Sequence, residues 1–355
     1  MADISLKHFV DINIQPSVEP VIKSTRKTAV LFTTSGTDGS ANMIHSITEA
    51  DTTYPSGTFA GVNAMLHVFF NNGGIQVNVI EGASTDKVQT KILNLPNEYI
   101  VLAFDGLTAA QVETVALAIN TKTYGINEKL FLTRVTSTDN AKSIKNLIYK
   151  YSTTVGAEMT IAAYLTQIDV YKSDSVKDYM FTQELIDPET LTDLQYEAII
   201  HAQMNVDITL ANSIRNCGGN CSDGNEVTNE FVRIVLHQTL TDRLVALLVQ
   251  KIKGNTAVAQ IYAVICDELE RYVDSGYLTR DKAWTLPTLT KVGADGVEYT
   301  IIEQNTALPS GFYVSILPFS ALNADDRTMH KAPPIYVILA DQYGIRAITV
   351  EGEVI

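Results

Sequence analysis

Apolar runs that end on turns alternate with helical stretches through the first half of the chain, and this alternation limits the fold more than any other feature. "KTAVLFTTSG" (Lys27 to Gly36) has the continuous apolar pattern of a strand buried on both faces. Thr58 to Phe70 keeps a helical period, and Ile75 to Ile80, "IQVNVI", alternates as a strand. Ser84 can cap a helix that runs to Leu95. "YIVLAFDG" (Tyr99 to Gly106) reads as a second buried strand, and "LTAAQVETVALAIN" as a helix with Thr108 at its N-cap. "KLFLTRVTS" reads as a third strand, and "STDNAKSIKNLIYKY" as a helix capped by Ser137 or Thr138. Strands alternating with helices predict an α/β layer around a largely parallel sheet.

Beyond Ile186 the pattern turns to α+β. "DPETLTDLQYEAIIHAQMN" reads as a helix opened by Asp187 and Pro188. "VDITLANSIRN" reads as one strand. From Glu226 to Val273 a long helical stretch is broken near Gly254; Phe231, Val235, Leu240, Leu244, Leu247 and Leu248, then Ile261, Ile265, Leu269 and Val273, hold its apolar period. Gly276 sits where a helix C-cap is expected. "VEYTIIEQ", "GFYVSILPF" and "PPIYVILAD" read as strands. The predicted class is therefore α/β, α+β in the C-terminal part, with mixed sheets flanked by helices.

Both ends read as extended arms. The first residues carry short alternating apolar positions (Ile4, Leu6, Phe9; Ile12, Ile14) with Pro16 and Pro20 and no helical period. The last, "GIRAITVEGEVI", reads as a strand with Arg346, Ile348, Val350 and Val354 on one face and Ile345 on the other. The expected division is an arm at 1–22, an α/β domain at 23–194, a long-helix domain at 195–342 and a strand arm at 343–355. A strand-forming free end invites edge pairing. It either closes the chain's own sheet or adds to another chain.

Composition narrows the function classes. A net charge of −14 and no basic run make this a poor chain for gripping phosphate backbones. With 46% hydrophobic residues a core is easily filled, and 19% charged residues leave surface free for burial between subunits. No stretch is long and apolar enough to span a bilayer, and the start lacks a signal-peptide pattern, so synthesis in the cytoplasm is expected. Three cysteines, Cys217, Cys221 and Cys266, argue against a disulfide scaffold. "RNCGGNCSDGNE" reads as a Gly-rich turn with two reduced thiols, because no neighbouring histidine completes a metal set.

Catalytic signatures are missing from the sequence. "SGTDGSAN" follows the first strand but lacks the P-loop lysine and the third glycine of a dinucleotide fingerprint. None of the six histidines has a zinc-protease spacing, and no nucleophile elbow occurs. His67 and His237 fall within helical runs; Trp284 reads as a packing anchor. Acidic residues near Asp267 and Asp325 read as solvated ion pairs. No enzyme, cofactor or metal site is predicted.

From "NVDITLANSIRNCGGNCSDGNEVTNEFVRIVLHQTLTDRLVALLVQK" through "DELERYVDSGYL" to "ADDRTMHKAPPIYVILADQYGIRAITVEGEVI", the chain resembles the tail sheath proteins of contractile-tailed bacteriophages, the sheath family of contractile injection systems. The likeness is a strand, a Gly-rich turn, a long helix with an Asp–Arg pair, a second helix ending in "GYL", and closing strands after "DR…APPI". The "CGGNC" turn departs from the usual form, and the chain is short for a sheath. The resemblance implies six-subunit rings stacked into a helical sheath around a tail tube, with baseplate and terminator proteins as further partners, in the virion. Contraction, driven by energy stored in subunit contacts, would push the tube through the host envelope. It implies too that Ile345, Arg346, Ile348, Val350, Val354, Ile4, Leu6, Ile12 and Ile14 lie on arms that complete a sheet in neighbouring subunits. Arg327, His330 and Lys331 form a local basic group that either contacts the tube or sits on a solvated turn. Two other readings stay open: another tail component such as a tube or terminator protein, and an α/β enzyme, which would need a deep polar pocket near Gly36 and Gly106.

Overall fold

The computed structural model describes residues 26–96, 98–123, 128–139, 141–249, 254–328 and 332–340. In chain order the elements are β1 (Ala29–Thr33), β2 (Ala41–Ile44), α1 (Ile47–Thr53), α2 (Ala60–Asn71), β3 (Val77–Ile80), α3 (Thr85–Leu93), β4 (Val101–Asp105), α4 (Ala109–Thr123), β5 (Leu130–Val135), β6 (Leu147–Tyr151), α5 (Met159–Gln167), α6 (Asp193–His201), β7 (Asn205–Leu210) and β8 (Ser213–Cys217). Then follow α7 (Val227–Val249), α8 (Gly254–Asp274), β9 (Lys282–Ala283), β10 (Leu289–Val292), β11 (Glu298–Ile302), β12 (Ala307–Leu308), β13 (Phe312–Ile316), α9 (Ala324–Thr328) and β14 (Ile335–Leu339).

Eight strands form one mixed sheet in the order β2-β3-β1-β4-β5-β6-β7-β8. The strands from β3 to β7 are parallel, while β2 and β8 are antiparallel edges. Every residue of β1 is buried, because helices cover both faces. The two-residue period then sorts its side chains. Leu31 joins a core with Val79, Ala103 and Leu132, capped by α2 and α5. Val30 and Phe32 join the opposite core with Phe104, Phe131 and Val206, under α3, α4 and α6. Phe32, Phe104 and Phe131 stack across neighbouring strands at 5.7 and 6.5 Å between ring centres.

The first core does not stop at the sheet. It continues through Phe231 and Val235 of α7 and Ile261, Ile265 and Leu269 of α8 to Val314 of β13. One sheet and one core thus span both sides of residue 194, where the sequence suggested a boundary. Beyond α8 lie three two-stranded antiparallel sheets, β10–β11, β9–β12 and β13–β14, around a small third core that includes Ile301, Leu308, Leu317 and Ile338.

Four local expectations are corrected. Residues 137–139 and 141–145 are not a helix: Asn146 takes a positive φ of 63° and "LIYKY" becomes the buried strand β6. Alternating aromatic and branched residues there fit a sheet better than a helix. "VDITLANSIRN" is a hairpin, β7–β8, turning on Ala211 and Asn212, both at positive φ. Asp187 and Pro188 do not open α6; Thr192 does, through a capping box with Gln195. The "DELER" acids are not all solvated. Glu268 is fully buried, accepts the Tyr171 hydroxyl at 3.1 Å and meets Arg243 at 2.6 Å.

Candidate assembly surface

β14 is the last described strand in the sequence, and β13 is its partner. They pair from Phe312↔Leu339 to Ile316↔Ile335, and among the described residues neither strand has a second strand partner. Alternation buries both faces in part. Phe312, Val314, Ile316, Ile335, Val337 and Leu339 lean on the main core, while Leu317, Tyr336 and Ile338 belong to the third. A two-stranded sheet is marginal alone, and this one rests on α8. Beside it runs a largely apolar groove of about 770 Å³ between Val258 and Tyr262 of α8, Val314 and Ile316 of β13, Phe319 and Pro333. Tyr262 is 48% exposed and Phe319 40%. The geometry offers main-chain donors and acceptors at two strand edges, next to an apolar trough; this is what an added extended segment requires.

Of the residues singled out in the sequence, Arg327 lies exposed on α9, its Nε–H donating to the Asn323 carbonyl at 3.4 Å. His330 and Lys331 lie outside the described residues, as do Ile4, Leu6, Ile12, Ile14, Ile345, Arg346, Ile348, Val350 and Val354.

At the strand ends near Gly36 and Gly106, where an α/β enzyme would place its site, the polar side chains pair with one another. Thr33 Oγ1 donates to Asp105 at 2.7 Å, and Glu81 accepts from the Thr37 amide at 2.7 Å and the Tyr54 hydroxyl at 3.1 Å. A Cβ at Gly36 would meet the Glu81 carboxylate, and one at Gly106 the Thr34 hydroxyl.

The "CGGNC" turn is architectural. Gly218 has φ +112°, and a Cβ there would lie 2.6 Å from the Met204 carbonyl, so no other residue fits. The Gly219 amide donates to Asn205 at 2.6 Å. Cys217 and Cys221 are free, buried on opposite sides of the sheet, and burial pushes both thiols up. No group of His, Cys, Asp and Glu that could hold a metal occurs among the described residues. His67 pairs with Asp51 at 2.7 Å, and His237 is exposed on α7. The Trp284 indole N–H donates to the Pro287 carbonyl at 3.0 Å, and its ring packs on the third core.

One cluster escaped the sequence reading altogether. Lys150, on β6, is wholly buried with Glu184, Asp207, Tyr179 and Asn216 around its ammonium. The available signal is a lysine next to the buried Tyr149 and the half-buried Tyr151 in "LIYKY".

The architecture, a mixed sheet carrying two long helices and a terminal set of small sheets, is the fold of contractile sheath proteins. A chain in the cryo-EM structure of the anti-feeding prophage helical sheath in contracted state is similar over 93% of both chains, with a TM-score of 0.64 at 13% identity. A chain of the anti-feeding prophage baseplate, 6-fold symmetrised, gives 0.64 at 12% identity over 97% of each. The sheath tail protein from Desulfitobacterium hafniense gives 0.56 at 8% identity, over 85% of this chain and 96% of that one. No family model and no curated protein matches the sequence. Among the described residues no helix is long and apolar enough to cross a membrane.

Proposed function

We propose that this chain is a structural subunit of a contractile sheath, in a phage tail or a phage-like contractile device. The observation that carries this is the end-to-end likeness to sheath subunits, 93% of both chains in one case, which leaves little of the chain to serve another purpose. Subunits form six-membered rings stacked around a tube, and contraction drives the tube outward. The tube, baseplate and terminator are its partners. Arms at 1–22 and 343–355 leave one subunit and extend the β13–β14 sheet of a neighbour by main-chain pairing, Ile348, Val350 and Val354 setting the register. The two open edges and the adjacent groove support that role. No nucleotide takes part: the work comes from subunit contacts.

Negative-stain images of concentrated protein test the proposal. The full chain is expected to form tubes or ring stacks, and a variant lacking Met1 to Gln15 to remain a folded monomer. Monodisperse particles from the full chain under all assembly conditions would refute the reading, and a collapsed melting temperature in the shortened chain would refute the arm's part in it.

A further inference from the structure

The crossover between α5 and α6 lies along β8 and closes the edge of the main sheet. The Phe181 amide donates to the Asn216 carbonyl at 2.8 Å, the Asn216 amide to Thr182 at 3.0 Å and the Glu184 amide to Ile214 at 3.3 Å. Gln183 and Arg215 complete the contact as an antiparallel bridge. Phe181 holds a positive φ of 65° and is 40% exposed, a backbone state that an aromatic residue rarely adopts. This strap, 181–184, hides a strand edge that would otherwise be open to pairing.

What holds it is the buried cluster. Lys150 Nζ lies 3.0 Å from Glu184 Oε2, 2.9 Å from Asp207 Oδ1, 3.1 Å from Asn216 Oδ1 and 3.3 Å from the Tyr179 hydroxyl. Tyr179 donates to Glu184. An ammonium has three protons for these four oxygens. Two carboxyl groups face one cation with side-chain exposures of 2% or less, and Asp207 Oδ2 has no hydrogen-bond partner. Two full negative charges would leave this dry site one charge in excess.

We propose that the strap is a proton-operated cover for the β8 edge, closed while Asp207 holds a proton and loosened when that proton leaves. Lys150 of β6, Glu184 and Tyr179 of the strap segment, and Asn216 and Cys217 of β8 face the switching group; Glu158, just before α5, interacts with Lys150. Burial raises Asp207 to about 7; the Lys150 charge opposes this and the Glu184 carboxylate adds to it. For Lys150, burial pulls downward, but the carboxylates outweigh it and the net direction is up, so the cation persists. The sign follows from linkage. A carboxyl raised in the closed state favours closure at low pH and loses that advantage as pH rises from its ordinary range to about 7. The opening equilibrium of the strap is then expected to grow about tenfold between pH 6 and pH 8.

Amide hydrogen exchange on the dilute monomer, corrected for the intrinsic pH dependence, reads this directly, whether or not the chain builds a sheath. Protection at Phe181, Glu184 and Asn216 should fall about tenfold from pH 6 to pH 8, while β1 and β4 keep theirs. Asp207→Asn should remove the pH response. Glu158 is also raised by burial, to about 7, but lies off the strap, so Glu158→Gln should leave the strap's response intact. Constant strap protection in the unaltered protein, a surviving response in Asp207→Asn or its loss in Glu158→Gln would each overturn the proposal. If Asp207→Asn does not fold, the unaltered protein and Glu158→Gln decide it.

Discussion

The eight-stranded sheet and the small C-terminal sheets solve the same problem in opposite ways. In the first, helices cover both faces, an antiparallel strand closes each side, and the strap lies over β8. In the second, three strand pairs share a small core and leave Leu286, Val292, Val297, Tyr313 and Phe319 between 37% and 70% exposed. The first region has the apolar burial to fold from its own residues. What sets the second apart is that, among the described residues, β13 and β14 have no strand partner beyond each other and lie next to an apolar groove.

The contrast can be broken at its strongest point first. Phe104 is 6% exposed at the centre of the ring stack, so Phe104→Ala should cost the monomer about 3–5 kcal/mol, read by chemical denaturation. A loss below about 1 kcal/mol would mean that the main sheet is not the stable body. Proline at Ile348 or Val350 tests the other region. With the terminal strand in a neighbour, the dilute monomer should melt within about 1 kcal/mol of the unaltered chain while tubes disappear. A loss of about 3 kcal/mol or more, with tubes retained, would return that strand to the chain's own sheet. The smallest effect is expected from Arg327→Glu combined with Lys331→Glu: an unchanged melt and weaker attachment to the tube that salt no longer weakens further, read by co-sedimentation at two ionic strengths. Equal co-sedimentation would leave Arg327 as an exposed end of α9 and no more.

Legibility in the sequence followed the range of the forces. β1, β4, β5, α2, α4, α7 and α8 were all visible, because local periodicity reports burial on one or two faces. β2 and α1 give no such signal; both are short, and the polar residues around them hide their apolar positions. The hairpin at Ala211 and Asn212 was missed because alanine carries no signal for a positive φ, and only the pairing of β7 with β8 imposes it. "LIYKY" has the pattern of a helix end in the sequence, since its strand character is settled by β5 and β7 on either side. The Lys150 and Glu268 clusters were beyond reach for a related reason: their partners come from positions far apart in sequence, such as Asp207 for Lys150 and Tyr171 for Glu268. Of the candidate assembly residues only Arg327 falls among those described, so the arms stand on the resemblance and on the open edges that would receive them.

The pairing of β14 has a mechanical consequence. Ala340 is fixed by its amide to the Gly311 carbonyl at 2.9 Å and by its carbonyl to the Thr279 amide at 2.8 Å, so a pull on the chain beyond it enters at the Phe312–Leu339 end of the ladder. Directed along the strand, such a load is shared by every rung from Phe312↔Leu339 to Ile316↔Ile335 at once, because antiparallel hydrogen bonds lie across the strands and resist sliding together. Directed outward, the same load peels the rungs singly. The joint is therefore stiff in one direction and yielding in another, and its strength depends on the angle at which it is pulled.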